Sequence, residues 1–136
     1  EIEEYIKRVQ IESRVLGDMA RNHIIPTSIR YQNLLIKNVK GLKEIFEGDY
    51  KTMASEQLNI IEQISSYLKI VNEAITEMIA VRKEANLLDI KDRAKSYNEL
   101  VIPYFNKIRY ASDKLELLVE DKLWPLTKNR ELLNLR

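Results

Sequence analysis

Apolar residues recur at helical spacing along nearly the whole chain, and most regularly in its last third. Ala94, Tyr97, Val101, Tyr104, Ile108, Ala111, Leu115 and Leu118 step alternately by three and four, which keeps one apolar stripe on one side of a helix. Phe105, Ser112 and Val119 widen that stripe. The spacing predicts a helix over about 90–123, stopped by Pro125 because the residue before a proline is pushed away from helical angles. A second seam, Ile60, Ile64, Tyr67, Val71, Ala74 and Met78 with Ile61, Leu68 and Ile75 beside it, predicts a helix over about 50–86. In the first third, Ile2, Tyr5, Val9, Leu16, Met19 and His23, flanked by Ile6 and Ala20, resume as Tyr31, Leu35, Leu42 and Phe46. That pattern predicts a helix over about 2–46.

Punctuation between the seams fits the same division. Gly48 offers a left-handed stop and Asp49 a cap for the next helix. Asp89, with Asp92 three residues on, resembles a capping box at the start of the last helix. Short turns near 48 and 88 make consecutive helices antiparallel neighbours, so the expected fold is all-α, an up-down-up bundle over 1–123, with a short C-terminal Trp-Pro tail over 124–136 packed on the bundle or on a partner. Pro26 and Pro103 interrupt the first and third helices, since proline lacks a backbone donor and its ring collides with the carbonyl four residues back. Counted from the turns at about 1.5 Å per residue, both prolines fall at one height, which predicts a shared bend opposite Asn72 to Ala74.

Composition adds limits. A chain of 136 residues buries a core without disulfides or a structural metal, and there is no Cys to form a disulfide. Three Gly and three Pro suit a helix-rich chain better than a β-rich one. The net charge of +1 gives no field that would draw nucleic acid or an anionic membrane, and no apolar run approaches a membrane span. The charge is unevenly placed: 1–46 hold eight Lys/Arg against six Asp/Glu, 47–89 four against eight, and 90–136 ten against seven. An acidic middle helix between two basic ones is a hint of register, although exposed pairs contribute only ~0 to 1 kcal/mol each. The opening EIEEYIKRVQ is neither a signal peptide nor an ordinary initiation site, which suggests a piece of a longer protein.

Chemistry is sparse. His23 is the sole histidine, so neither the Glu-x-x-His pairs of a di-iron bundle nor a Cys/His zinc site can be assembled, and His23 itself reads as an ordinary packed or partly exposed side chain. Cys nucleophiles are absent, and the three glycines are too scattered for a phosphate-cradling loop. Asp113, Glu116, Glu120 and Asp121 form an acidic strip that reads as a solvated helix face, with Arg109 four residues before Asp113 as its ion-pair partner. Lys37, Lys40 and Lys43 recur without the aromatic set that stacks on bases, so no nucleic-acid partner is expected. Trp124, followed by Pro125 and Leu126, has two readings: a hydrophobic plug on the bundle, or an anchor on a partner.

Two blocks carry a resemblance. Met19, Ala20, Ile24, Ile25, Pro26, Tyr31 and Gln32, followed by Arg109, Asp113, Leu115, Glu116, Trp124, Pro125, Leu132 and Leu133, resemble in order and spacing the C-terminal helical region of type III glutamine synthetases. Thr127 and Asn129 stand where that pattern continues with a second proline and a tyrosine, which puts the tail's docking in question. The resemblance implies an enzyme that joins ammonia to glutamate with ATP and a divalent metal, Mg or Mn, in the cytoplasm. Its ligands for those groups would lie in an upstream catalytic region, so no catalytic, cofactor or metal residue carries over to this chain. What remains is a non-catalytic region supporting the packing of a homo-oligomer through the upstream domain and other subunits, with Tyr31, Trp124, Pro125, Leu132 and Leu133 as candidate partner or tail-docking contacts. The alternative is a stand-alone helical interaction or scaffold module.

Overall fold

The computed structural model describes residues 1–120. Among them every regular element is helical. Helix α1 (Ile2–Met19) begins at Glu1, whose carboxylate accepts the Glu3 N–H at 3.3 Å, with Glu3 and Glu4 near the positive end of the helix dipole. A π-helical turn, Ala20–Ile24, leads without a non-helical residue into α2 (Ile25–Phe46). After the turn come α3 (Tyr50–Met53) and α4 (Ser55–Ala85), and then α5 (Ile90–Ser96), a second π-helical turn, Tyr97–Val101, and α6 (Ile102–Leu118).

The two π-helical turns explain how a helix passes a proline. Pro26 and Pro103 each sit in the first turn of the α-helix that follows a π turn. Just before them the Ile25 N–H reaches Ala20 O and the Ile102 N–H reaches Tyr97 O, each five residues back instead of four. The wider turn is where the ladder absorbs a residue that has no donor and needs room for its ring. The echo of Ile24-Ile25-Pro26 in Val101-Ile102-Pro103 is thus a matched local solution.

Three expectations about boundaries are corrected. Gly48 does not adopt left-handed angles; the turn closes instead through the Asp49 N–H on Phe46 O at 2.7 Å, and Asp49 makes no side-chain cap. The middle helix is interrupted at Ala54, which is completely buried. The last helix ends at Leu118 and not near 123: Val119 turns to extended angles, favourable for a β-branched residue, and is buried at 2% exposure. Asp89 caps as expected, accepting the Asp92 N–H at 3.0 Å.

Cross-helix hydrogen bonds set out the register. Gln10 meets Asn86, Ser13 meets Arg82, Arg21 meets Thr76, Gln32 meets Ser65 and Asn38 meets Gln57, so partners fall along α4 as residue numbers rise along α1 and α2. On the other side Tyr97 meets Asn86, Glu77 lies beside Tyr104, and Tyr67 meets Tyr110 ring edge to face at 6.2 Å. By this register Pro26 falls beside about residue 70 and Pro103 beside about residue 78, about two turns apart, so they straddle the expected common level instead of sharing it. Among the described residues the one ion pair, Lys69 with Glu73, lies within α4, so hydrogen bonds from amides, hydroxyls and the Arg21 and Arg82 guanidiniums, not ion pairs between the three segments, make the polar links between helices.

The core follows the predicted stripes of α4 and α6: Ile64, Val71, Ala74, Ile75 and Met78 on one, Val101, Phe105, Ile108, Ala111 and Leu115 on the other. The first segment differs. Ile2 and Phe46 are more than 40% exposed and His23 is exposed, while Ser13, Ala20, Ile24, Thr27 and Ser28 are buried together with Gly17. Small side chains bring α1 close to α4, and the buried hydroxyls are satisfied locally: Ser28 Oγ donates to Ile24 O at 2.8 Å and Ser13 Oγ accepts from Arg82 at 3.0 Å.

Gly17 tests how close that approach is. A methyl added there would lie 3.9 Å from Met78 Cε and 4.0 Å from Ile75 Cγ2, ordinary contact, and a helical glycine costs ~0.5 to 1 kcal/mol relative to alanine. Gly17→Ala is therefore expected to raise stability by about that amount and the thermal midpoint by a few degrees. A lower midpoint on thermal unfolding would mean that α1 and α4 leave no room for one methyl group.

Candidate functional site

The residues singled out from sequence do not converge. Tyr31 is half-buried and packs at the edge of the core in α2. Trp124, Pro125, Leu132 and Leu133 lie outside the described residues, as does Asp121 of the acidic strip. On α6 Asp113 is exposed, and the expected Arg109 ion pair is replaced by a stacked one: the guanidinium lies over the Phe105 ring at 5.7 Å. Lys43 similarly lies 5.5 Å over the Tyr50 ring. Partial burial, then the neighbouring Glu77 carboxylate, holds the Tyr104 phenol above its usual pKa, so it is neutral at physiological pH and offers no base.

Two polar clusters that the sequence reading passed over are built by the fold. One joins three segments at one end of the bundle. Gln10 of α1 donates from Nε2 to the Tyr97 hydroxyl at 2.9 Å and to Asn86 Oδ1 at 3.4 Å, and the Tyr97 hydroxyl donates to Asn86 Oδ1. Beside it the Tyr5 hydroxyl donates to Asn98 Oδ1 at 3.1 Å. The Tyr97 ring is fully buried and sits at the start of the second π turn, so the wide turn and the hydrogen-bonded junction are one feature. Nothing in the local sequence marks Gln10 or Asn86, because the signal lies in their pairing across 76 residues.

The other cluster is a groove of about 370 Å³ between α1 and α4, floored by Gly17, Ile75, Met78 and Ile79 and rimmed by Arg14, Arg21 and Arg82 against Asp18. Its polar atoms serve each other. Arg82 donates to Ser13 Oγ, Arg21 Nη2 reaches Thr76 Oγ1 at 3.5 Å, and Asn22 donates to Asp18. The arrangement braces two helices and brings together no nucleophile with a base. Among the described residues no three His, Cys, Asp or Glu side chains come together. No helix of the described residues is long and apolar enough to cross a membrane.

With this geometry in view, the comparisons with known proteins are informative. Residues 1–43 match the family described as the glutamine synthetase C-terminal domain. Over 98% of its length the chain is 44% identical to a glutamine synthetase of Bacteroides fragilis (strain YCH46), of which the match covers 18%. It is 26% identical, over 97% of its length, to the type-3 glutamine synthetase of Dictyostelium discoideum, again across 18% of that protein. A glutamine synthetase of Butyrivibrio fibrisolvens is 21% identical over 89% of the chain. The chain thus spans less than a fifth of the length of these relatives. The resemblance to the C-terminal helical region of glutamine synthetases, a type-3 enzyme among them, is shown by these comparisons.

Proposed function

We propose that this chain is the non-catalytic C-terminal helical domain of a type III glutamine synthetase, a cytoplasmic enzyme that ligates ammonia to glutamate at the expense of ATP. One observation carries the reading: similarity to glutamine synthetases extends over almost the whole chain, yet takes up only 18% of the relatives' length. ATP and Mg or Mn would be bound by the remaining four-fifths, consistent with a described region whose polar clusters are turned inward to tie helices together. The domain's contribution is then mechanical. We infer an up-down-up bundle of three long helical segments, the first and third deflected at their prolines, that packs against the catalytic region or neighbouring subunits and supports assembly of the oligomer. Its register supports this reading, since partner numbers fall along α4 on both sides.

The test uses a complete glutamine synthetase carrying this region and the same protein with the region removed. Light scattering is expected to show a smaller assembly for the shortened protein, with reduced ATP-dependent glutamine formation, and the 136-residue chain alone is expected to form no glutamine. Unchanged size and activity after removal would return the chain to the second reading, an independent helical interaction module.

A further inference from the structure

Three guanidiniums rim the groove between α1 and α4, and no ion pair among the described residues neutralises them. Arg14 and Arg21 stand seven residues apart, two turns, on one side of α1, and Arg82 faces them from α4. Asp18 lies four residues after Arg14 and three before Arg21, at ion-pair spacing from both, yet accepts from Asn22 instead. The contacts that Arg21 and Arg82 do make, to Thr76 and Ser13, are to neutral hydroxyls, and the one ion pair of the described residues lies elsewhere. Beneath the rim is an apolar floor that includes Gly17, Ile75 and Met78. A cleft of about 370 Å³ with those walls fits a large apolar side chain flanked by carboxylates.

The chain carries that chemistry itself, at the turn after α2. Ile45 is 72% and Phe46 41% exposed, and Glu44, Glu47 and Asp49, all exposed, surround them with no base among residues 44–49. Glu44 and Glu47 stand at the C-terminal end of α2, where the helix dipole disfavours negative charge, so local helix stability does not account for them. We propose that this acidic, apolar turn of one copy seats in the arginine-rimmed groove of a second copy, with Ile45 and Phe46 over the floor and the carboxylates on Arg14 and Arg21. A chain cannot fill its own groove. Ser55, where α4 leaves the turn, and Ile75, where the groove begins, are twenty residues apart on one continuous helix, about 30 Å. The contact therefore joins two different surfaces, head to tail, and repeats from copy to copy until it closes into a ring or runs on as a filament. It rests on the assembly reading above and deepens it, naming the two faces that meet.

The test is made on a complete glutamine synthetase carrying this region, followed by sedimentation over a dilution series. Arg14→Glu with Arg21→Glu is expected to raise the concentration at which the assembly dissociates about tenfold or more, and Glu44→Arg with Glu47→Arg to do the same. All four changes in one chain restore opposite charges across the contact, and are expected to return that concentration to within about threefold of the parent. Lys91→Glu with Lys95→Glu, exposed on α5 and outside both surfaces, imposes the same change in charge as the groove pair and is expected to leave it unmoved. Circular dichroism checks that helix content is retained, and the groove and turn variants alter different helices, so the result does not hang on the folding of one of them. An assembly that shrinks when the region is removed but is indifferent to the reversals would overturn this contact and leave the assembly reading standing. Unchanged size on removal would sink both. Weakening by each pair without recovery in the combined variant would also overturn the contact, since the charges would then act without facing each other.

Discussion

Ile108→Ala should remove about 2 to 5 kcal/mol of folding stability and lower the thermal midpoint by roughly 10 °C, a large effect for the truncation of one side chain by three carbons. Ile108 lies at the middle of α6 with no exposed surface, and α6 packs chiefly on α4. Truncation there loses the transfer energy of the deleted carbons and leaves a void that Val71, Ala74 and Ile75 cannot collapse into without moving a helix. Against a typical total of ~5 to 15 kcal/mol, such a loss leaves a measurable unfolded population near body temperature. The comparison that gives the number meaning is Leu117→Ala, nine residues on, at 64% exposure, where a change within about 0.5 kcal/mol is expected. Urea unfolding of the two variants decides it. Equal midpoints would mean that the α4–α6 contact is not a packed core.

Ile108 was legible because a large apolar residue at three-and-four spacing has one physical explanation on a helix. The same reasoning misplaced the first seam, and the reason is specific. A search for large side chains steps over Ser13, Gly17, Thr27 and Ser28, yet these are buried where α1 and α2 pack against the bundle. Their hydroxyls are satisfied by Arg82, by Arg30 and by the preceding turn, partners that no window of local sequence contains in full. The π turn adds a second displacement: one extra residue in the ladder shifts the phase of everything after it, so the seam read as Met19 and His23 runs instead through Ala20, Ile24, Thr27 and Ser28. Proline announced that something must give way at 26 and 103. It did not announce whether the helix would break or widen.

The candidate contacts fared according to what kind of signal they carried. Tyr31, chosen through a family resemblance, packs half-buried at the core edge. The inter-helix junction was missed because Gln10, Asn86 and Tyr97 are individually unremarkable surface-type or core-type residues, and only the register brings them together. Polar residues that meet across a bundle do so at positions fixed by helix length and turn geometry, here the breaks at 47–49 and 86–89. Charge patterning, the more visible signal, set no cross-helix ion pair among the described residues.

Tyr97→Phe should cost about 1 to 2 kcal/mol and loosen one end of the bundle selectively. The ring would keep its buried place, so packing is preserved. What is lost is the hydroxyl that accepts from Gln10 at 2.9 Å and donates to Asn86, leaving those two amides only their long mutual contact at 3.4 Å. Part of the penalty is recovered because both amides reach solvent, which places the expected cost below that of a fully enclosed orphan. Amide exchange should accelerate around residues 5–10 and 86–98, where all three segments are tied, and stay slow around 64–75, where the apolar core holds α4. A double-mutant cycle with Gln10→Ala distinguishes a shared junction from two separate contacts: coupling of at least about 0.5 kcal/mol is expected. Strict additivity would show that Tyr97 and Gln10 stabilise the chain independently, and the second π turn would then owe its position to Pro103 alone.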